Sequence, residues 1–438
     1  MKYKVQRFSF ESGERYALLI NSETGIPLIH ENLYVTIHIR NTGESINTMV
    51  ACLRDLRLFH EICEYMDINL EQRFAEGKAL SKPEMTSISY WTKKPKVSLE
   101  AAKKVKGTGN VVAFKPNLKR LEMSRHTVLI DTALVDVMTT YNRLSNIISY
   151  TGWLAKSLAP AKSLEQLDKM VKYFRILRPV KHSKNNDSGT STSVFKSLTE
   201  SQMIRVLDII RPDASSNPWK DEATRYRNQM IVNVLYDVGC RKGELLTIKA
   251  TEIEGGSYEL KIRRSADDPD DERRDEPLVK TLSRDVGVSL DVFDMVENYI
   301  LTYRSQIKGS GKNPFLILSH QKGAITAKAL SISGLNRMFQ ILSESAGFTI
   351  GSHAIRHSWN DEFSADIEAA IDAGDITEEE AEDTRSYLMG WKENSGTAKT
   401  YTKRYQKKRS LIFALKLQEK RRKKLDNIIG QYDEDVEV

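Results

Sequence analysis

A chain of 438 residues exceeds what a single hydrophobic core supports, so two domains with accessory segments are expected. Its 40% hydrophobic and 29% charged residues describe a soluble globular protein, and a net charge of +7 favours a polyanionic partner such as nucleic acid. No apolar run approaches the ~18 residues that cross a bilayer, the opening MKYKVQRFSF lacks an apolar signal core, and Cys52, Cys63 and Cys240 are too few and too scattered for a disulfide framework or a four-cysteine zinc site. The expected location is therefore the cytoplasm, in association with the nucleoid.

Residues 1–32 alternate apolar and polar around YALLI, with turn formers in SETG, which predicts an arm of short strands or a hairpin. Beyond them the apolar spacing becomes helical, Met49, Leu53, Leu56, Phe59 and Ile62 recurring every three or four residues. Residues 92–125 read as basic and irregular. Lys93, Lys94, Lys96, Lys103, Lys104 and Lys106 crowd this stretch and are expected near a DNA backbone, with a solvated basic loop as the alternative. Helical periodicity returns in TALVDVMTTYNRLSNIISYTGWLAKSL. The polar run HSKNNDSGTSTS has linker composition and places a domain boundary at 181–195, after a helical domain at 33–180.

The second domain, 196–410, opens with a helix-cap pattern, Thr199 followed three residues later by Gln202. A second helix, YRNQMIVNVLYDVG, presents Met230, Ile231, Val234, Leu235 and Val238 and stops at Gly239. YELKIRR, PLVKT and DVGVSL read as three short strands, and helices resume after them. Residues 411–438 form a lysine- and arginine-rich tail with an interrupted apolar stripe, expected to dock on a neighbouring subunit or to lie solvated. The whole reads as mainly α with one small β-sheet in its second half.

Four islands carry chemistry. In GCRKGELL, Arg241 follows a glycine at a helix end and Glu244 lies three residues on, so a plain surface ion pair is the simplest reading of that island alone. In PLVKTLSRDVGVSL, Lys280 sits where a strand meets a tight turn. In SHAIRHSW, His353 and Arg356 share a helix face. His353 and His357 have zinc-ligand spacing, but Ala354 stands where a protease-type zinc helix needs glutamate, and no other His or Cys cluster supplies ligands. In LMGWKENSGTAKTYTKRY, Trp391 is followed by Tyr401 and Tyr405. Each island is weak alone, but in this order they make one site. Two arginines clamp phosphodiester oxygens, a lysine protonates a departing alkoxide, a histidine binds phosphate or moves a proton, and a tyrosine is a covalent nucleophile.

This ordered set resembles the catalytic domain of the tyrosine recombinases, the phage-integrase family. The G-x-R-x-x-E-L setting is matched by Gly239, Arg241, Glu244 and Leu245. The hairpin lysine is matched by Lys280, with Arg284 in the strand that follows. The H-x-L-R-H box is matched by His353, Arg356 and His357, and the L-G-H/W element with its tyrosine by Gly390, Trp391 and Tyr401. The resemblance covers residues 196–410, and 33–180 resembles the family's core-binding domain by pattern. It implies a two-domain clamp on duplex DNA, pairing a helical core-binding domain with a mixed α+β catalytic domain. It also implies a homo-tetramer on paired sites and a 3′-phosphotyrosine intermediate formed without metal, ATP or any cofactor. Arg241, Lys280, His353, Arg356, Trp391 and Tyr401 would be catalytic, with Glu244 and His357 behind them.

Two features depart from the family. The stretch between Arg356 and Trp391 is longer than usual, and within 361–383 it holds eleven Asp or Glu. Such acidic helices are expected to face solvent or a basic accessory protein rather than DNA. The interval from Trp391 to Tyr401 is also one residue loose. Rival readings are a type IB topoisomerase-like nicking and resealing enzyme, a decayed DNA-binding protein, and a metal-dependent nuclease.

Overall fold

The alternation at the start of the chain is realised as an antiparallel hairpin. In a computed structural model that describes residues 2–107, 133–180, 197–254, 257–264, 267–279, 281–320, 326–392 and 418, β1 (Tyr3–Ser9) pairs with β2 (Arg15–Asn21) from Tyr3 opposite Asn21 to Ser9 opposite Arg15. The chain divides into two compact units, Met1–Thr190 and Ser191–Val438. In the first, α1 (Ile29–Val35) follows the hairpin and leads to α2 (Ile46–Tyr65). The Ser45 side chain accepts the Thr48 backbone N–H and so starts α2. The predicted stripe Met49, Leu53, Leu56, Phe59 and Ile62 is buried, together with Leu144, Ile147, Ile148 and Leu154 of a later long helix.

The other helices of this unit are α3 (Leu70–Ala75), α4 (Lys82–Thr92), α5 (Lys96–Gly107), α6 (Val137–Leu158) and α7 (Leu164–Ile176). The reading of 92–125 as irregular is corrected over α5, which is helical. Composition hid it because, among its described side chains, Leu99 alone is sealed in the core. Its charge is neutralised across helices: the Lys96 ammonium lies 3.6 Å from Glu61 and that of Lys103 lies 3.8 Å from Glu64.

The second unit contains α8 (Glu200–Ile209), α9 (Glu222–Val238), α10 (Lys242–Thr247), α11 (Leu290–Asn298), α12 (Ile332–Ala346), α13 (Ser352–Ala373) and α14 (Glu378–Met389). The predicted cap is present, Thr199 and Gln202 bonding each other's backbone reciprocally. A three-stranded antiparallel sheet runs in the order β3 (Ile253–Glu254), β4 (Glu259–Ile262), β5 (Arg284–Gly287). YELKIRR and DVGVSL thus supply strands, whereas PLVKT does not. Residues 277–279 and 281 carry no strand, and the third strand is Ile253–Glu254. Instead of pairing with a strand, this segment lies against α10, where a Cβ on Gly243 would come 2.4 Å from the Leu278 carbonyl.

The helix that carries SHAIRHSW runs on into the acidic segment, turns at Gly374 in the left-handed region, and α14 returns under a capping box of Thr377 and Glu380. Glu362, Asp366, Asp372, Asp375, Glu379 and Asp383 are exposed. Among the described residues, no helix is long and apolar enough to cross a membrane.

Candidate active site

Arg241 is placed by the end of one helix and the start of the next. α9 closes at Gly239, with φ 62°, and a Cβ there would meet the Trp359 ring at 2.7 Å and Met389 at 3.1 Å. Glycine is required twice over, for the left-handed turn and for the close approach. Gly239→Ala should therefore cost about 2–4 kcal/mol, read from the urea midpoint of unfolding. Two residues on, Arg241 caps α10. Its backbone N–H donates to Glu244 Oε2 at 3.0 Å and its Nη1 lies 3.4 Å from Oε1. The Arg241 side chain stays 29% exposed, whereas that of Glu244 is sealed.

Glu244 is the hub. Arg284 Nη2 donates to its Oε2 at 2.8 Å, and the Thr281 hydroxyl donates to Oε1. Burial by itself would raise this carboxyl, but the Arg284 charge and the hydrogen bonds from Arg284, Thr281 and Arg241 outweigh it and hold it below the usual carboxylate range. Cys240, fully buried beside it, has its thiol pushed up to about 12 by burial and by Glu244.

Arg356 comes from α13 and is 2% exposed. Its Nη1 donates to the Gly239 carbonyl at 2.6 Å and its Nη2 to that of Met389 at 3.3 Å. Arg241 Nη1 reaches the same Met389 carbonyl at 3.5 Å. Two islands more than a hundred residues apart therefore meet on one backbone oxygen.

That oxygen belongs to the end of α14, where a helix leaves its last carbonyls without intrahelical partners. Gly390, with φ 62°, turns the chain, and the Gly390 and Trp391 N–H groups return to Tyr387 and Ser386 at 2.9 Å each, a Schellman arrangement. The later carbonyls are taken from outside the helix: Leu388 by Arg284 Nε at 2.7 Å, Met389 by Arg241 and Arg356, and Gly390 by the Leu282 N–H at 3.0 Å. Cationic donors also suit the negative end of a helix dipole. Trp391 is buried, packing with Met389, Leu388 and Trp359.

His353 is exposed and His357 half-buried one turn on, their ring centroids 6.5 Å apart. Among the described residues, no group of three or more His, Cys, Asp or Glu side chains gathers as a metal cluster. Lys280, Tyr401 and Tyr405 lie outside the described residues, although Val279 and Thr281 flank Lys280 and are both buried. The structure therefore brings together Arg241, Glu244, Arg356 and Trp391.

The described lysines of the basic set in the first unit differ in their surroundings. Lys93 is exposed. Lys94 is 4% exposed, its ammonium 5.0 Å from the Tyr90 ring centre. Lys96 and Lys103 sit by the carboxylates already named. The side chains of Lys104 and Lys106 lie outside the described residues. Sequence reasoning underweighted Arg284 and Thr281. An arginine four residues after Lys280, at the head of a predicted strand, was the available signal.

No protein-family model and no curated protein matches this sequence. Among solved structures, the chain is similar to the XerH site-specific recombinase in a post-cleavage complex with palindromic difH substrate, at 15% identity and a TM-score of 0.44, covering 88% of this chain and 96% of that one. It is similar to XerA recombinase at 17% identity and a TM-score of 0.34, over 74% of this chain and 94% of that one. It is also similar to a lambda integrase dimer bound to a core site, at 12% identity and a TM-score of 0.31, over 68% and 95% of the two chains. These solved structures are all recombinases or integrases.

Proposed function

We propose that this chain is a site-specific DNA strand transferase that cuts and rejoins DNA through a 3′-phosphotyrosine, serving to integrate or excise a mobile element. The observation that carries the reading is the meeting of Arg241 and Arg356 at the Met389 carbonyl, immediately before Trp391 and the segment that leads to Tyr401. Two guanidinium groups fixed within reach of one oxygen suit a phosphodiester, whose non-bridging oxygens accept planar donors.

In this reading the Tyr401 phenolate oxygen bonds to phosphorus as the bond to the 5′-oxygen breaks. Lys280 supplies the proton that the departing 5′-oxygen takes up. His353 binds the phosphate or moves the phenolic proton. Arg241 and Arg356 stabilise the charge that develops on the pentavalent phosphorus. A 5′-hydroxyl of another strand reverses the step, so the bond energy is conserved in the protein–DNA link. The acting unit is a homo-tetramer on paired duplex sites, with an accessory protein at the acidic segment 361–383.

The test is single-turnover cleavage of nicked suicide substrates carrying the cognate site. Arg241→Ala should bind such DNA nearly as well as the wild type and cleave it about 10²–10³-fold more slowly. Arg356→Lys, which keeps the charge of a buried side chain, should show the same separation of binding from cleavage. Wild-type cleavage rates in both variants would remove the phosphate-clamp assignment.

A further inference from the structure

We infer that Arg284 is a positioning residue, which keeps Arg241 available to phosphate by holding Glu244 for itself. The inference rests on the strand-transfer reading above. Arg284 is almost completely sealed, and its three nitrogens have three separate tasks. Nη2 binds Glu244 Oε2 at 2.8 Å, Nε binds the Leu388 carbonyl at 2.7 Å, and Nη1 lies 3.4 Å from the Leu282 carbonyl. One guanidinium therefore joins the carboxylate of α10, the end of α14 and the Leu282 backbone between Lys280 and β5. A lysine ammonium, with one nitrogen, does not span such a set. Gly390 leaves the space this needs, since a Cβ there would stand 2.5 Å from Arg284 Nη1.

The distances rank the two claims on Glu244. Arg284 approaches it at 2.8 Å, whereas the Arg241 guanidinium stands off at 3.4 Å and is anchored mainly through its backbone N–H at 3.0 Å. A buried carboxylate binds the best cation within reach, because an uncompensated charge in a sealed site is strongly unfavourable. With Arg284 present, that cation is Arg284, and the Arg241 side chain keeps its partial exposure. Without it, Arg241 is the nearest remaining partner, and Glu244 draws its guanidinium inward, away from DNA.

A double-mutant cycle on the full chain tests this, read as covalent adduct formation on a suicide substrate in single turnover. Arg284→Met, with folding checked by circular dichroism, should bind DNA within about threefold of the wild type and form adduct at least about tenfold more slowly. In an Arg241→Ala background, Arg284→Met should slow the reaction no further, because it acts through the group already removed. A general loss of structure would instead multiply the two defects. Should Arg284→Met not fold, Arg284→Gln, which also removes the charge, takes its place, with the same expected loss and the same cycle. Adduct formation by the variant at the wild-type rate, or defects that multiply, overturns the positioning role. A wild-type chain that forms no adduct at all fails at the earlier step and overturns the strand-transfer reading itself.

Discussion

Tyr401→Phe should bind its DNA site and form no covalent protein–DNA adduct, while Tyr405→Phe still forms one. The two residues are four apart, so on a helix both show the same face, and spacing alone does not choose between them. Three arguments select Tyr401. It lies ten residues after Trp391, nearer the family interval than Tyr405, which lies fourteen after it. It follows SGTAKT, a small polar lead-in suited to delivering a hydroxyl. Tyr405 is set between Arg404 and Gln406 with KKR beyond, surroundings that suit backbone contact or packing. An unperturbed phenol titrates near 10, so the attacking oxygen must be deprotonated or hydrogen-bonded at the site, and phenylalanine removes that oxygen altogether. Mass spectrometry of a trapped, nuclease-digested adduct reads the answer. A nucleotide on Tyr405 with none on Tyr401 would reverse the choice.

Removing one side of the Glu244–Arg284 pair should strongly destabilise the second unit. Both side chains are sealed, at 0% and 1% exposure, so Arg284→Ala leaves a buried carboxylate without its main partner. The expected cost is about 3–5 kcal/mol. Neutralising both together, Glu244→Gln with Arg284→Gln, should cost much less, because no buried charge is left unpaired. The sign of the pH dependence follows from the depressed Glu244 carboxyl. Its contribution is present in full above the ordinary glutamate value, about 4.3, and is lost as pH falls through the lower folded value. Urea unfolding at falling pH should therefore narrow the gap between the wild type and the double variant. A gap that stays constant down to pH 2 would show that this pair is not the source.

The order of motifs was legible because each rests on local chemistry. Thr199 with Gln202 announces a helix start, and Gly239 a helix stop, through bonds a few residues long. The stripe Met49 to Ile62 announces a buried face through periodicity alone. The acidic helix pair was legible as charge, although its first helix is the continuation of the one carrying SHAIRHSW. Lys280 and Tyr401 rest on the sequence pattern, since both lie outside the described residues. Failures came where distant partners decided the outcome. α5 looked irregular because its lysines obscured a single buried leucine, and the acids that neutralise Lys96 and Lys103 lie on α2. PLVKT looked like a strand because Pro, Leu and Val suit one, but close contact with Gly243 of α10 takes the place of strand pairing.

By itself, then, the sequence determined the helical class, the cap positions and the roster of arginine, lysine, histidine and tyrosine candidates. These depend on residue type and short spacing, which a chain carries before it folds. Only the tertiary structure decided which partner each charge takes. Glu244 reads in sequence as the partner of Arg241, three residues away, yet its shorter contact is with Arg284, forty residues away. The carbonyls that end α14 find their donors in Arg241, Arg284 and Arg356. The reason is physical: buried carboxylates and helix-end carbonyls must be satisfied by whatever donors folding brings within about 3 Å, and that choice belongs to packing rather than to position along the chain.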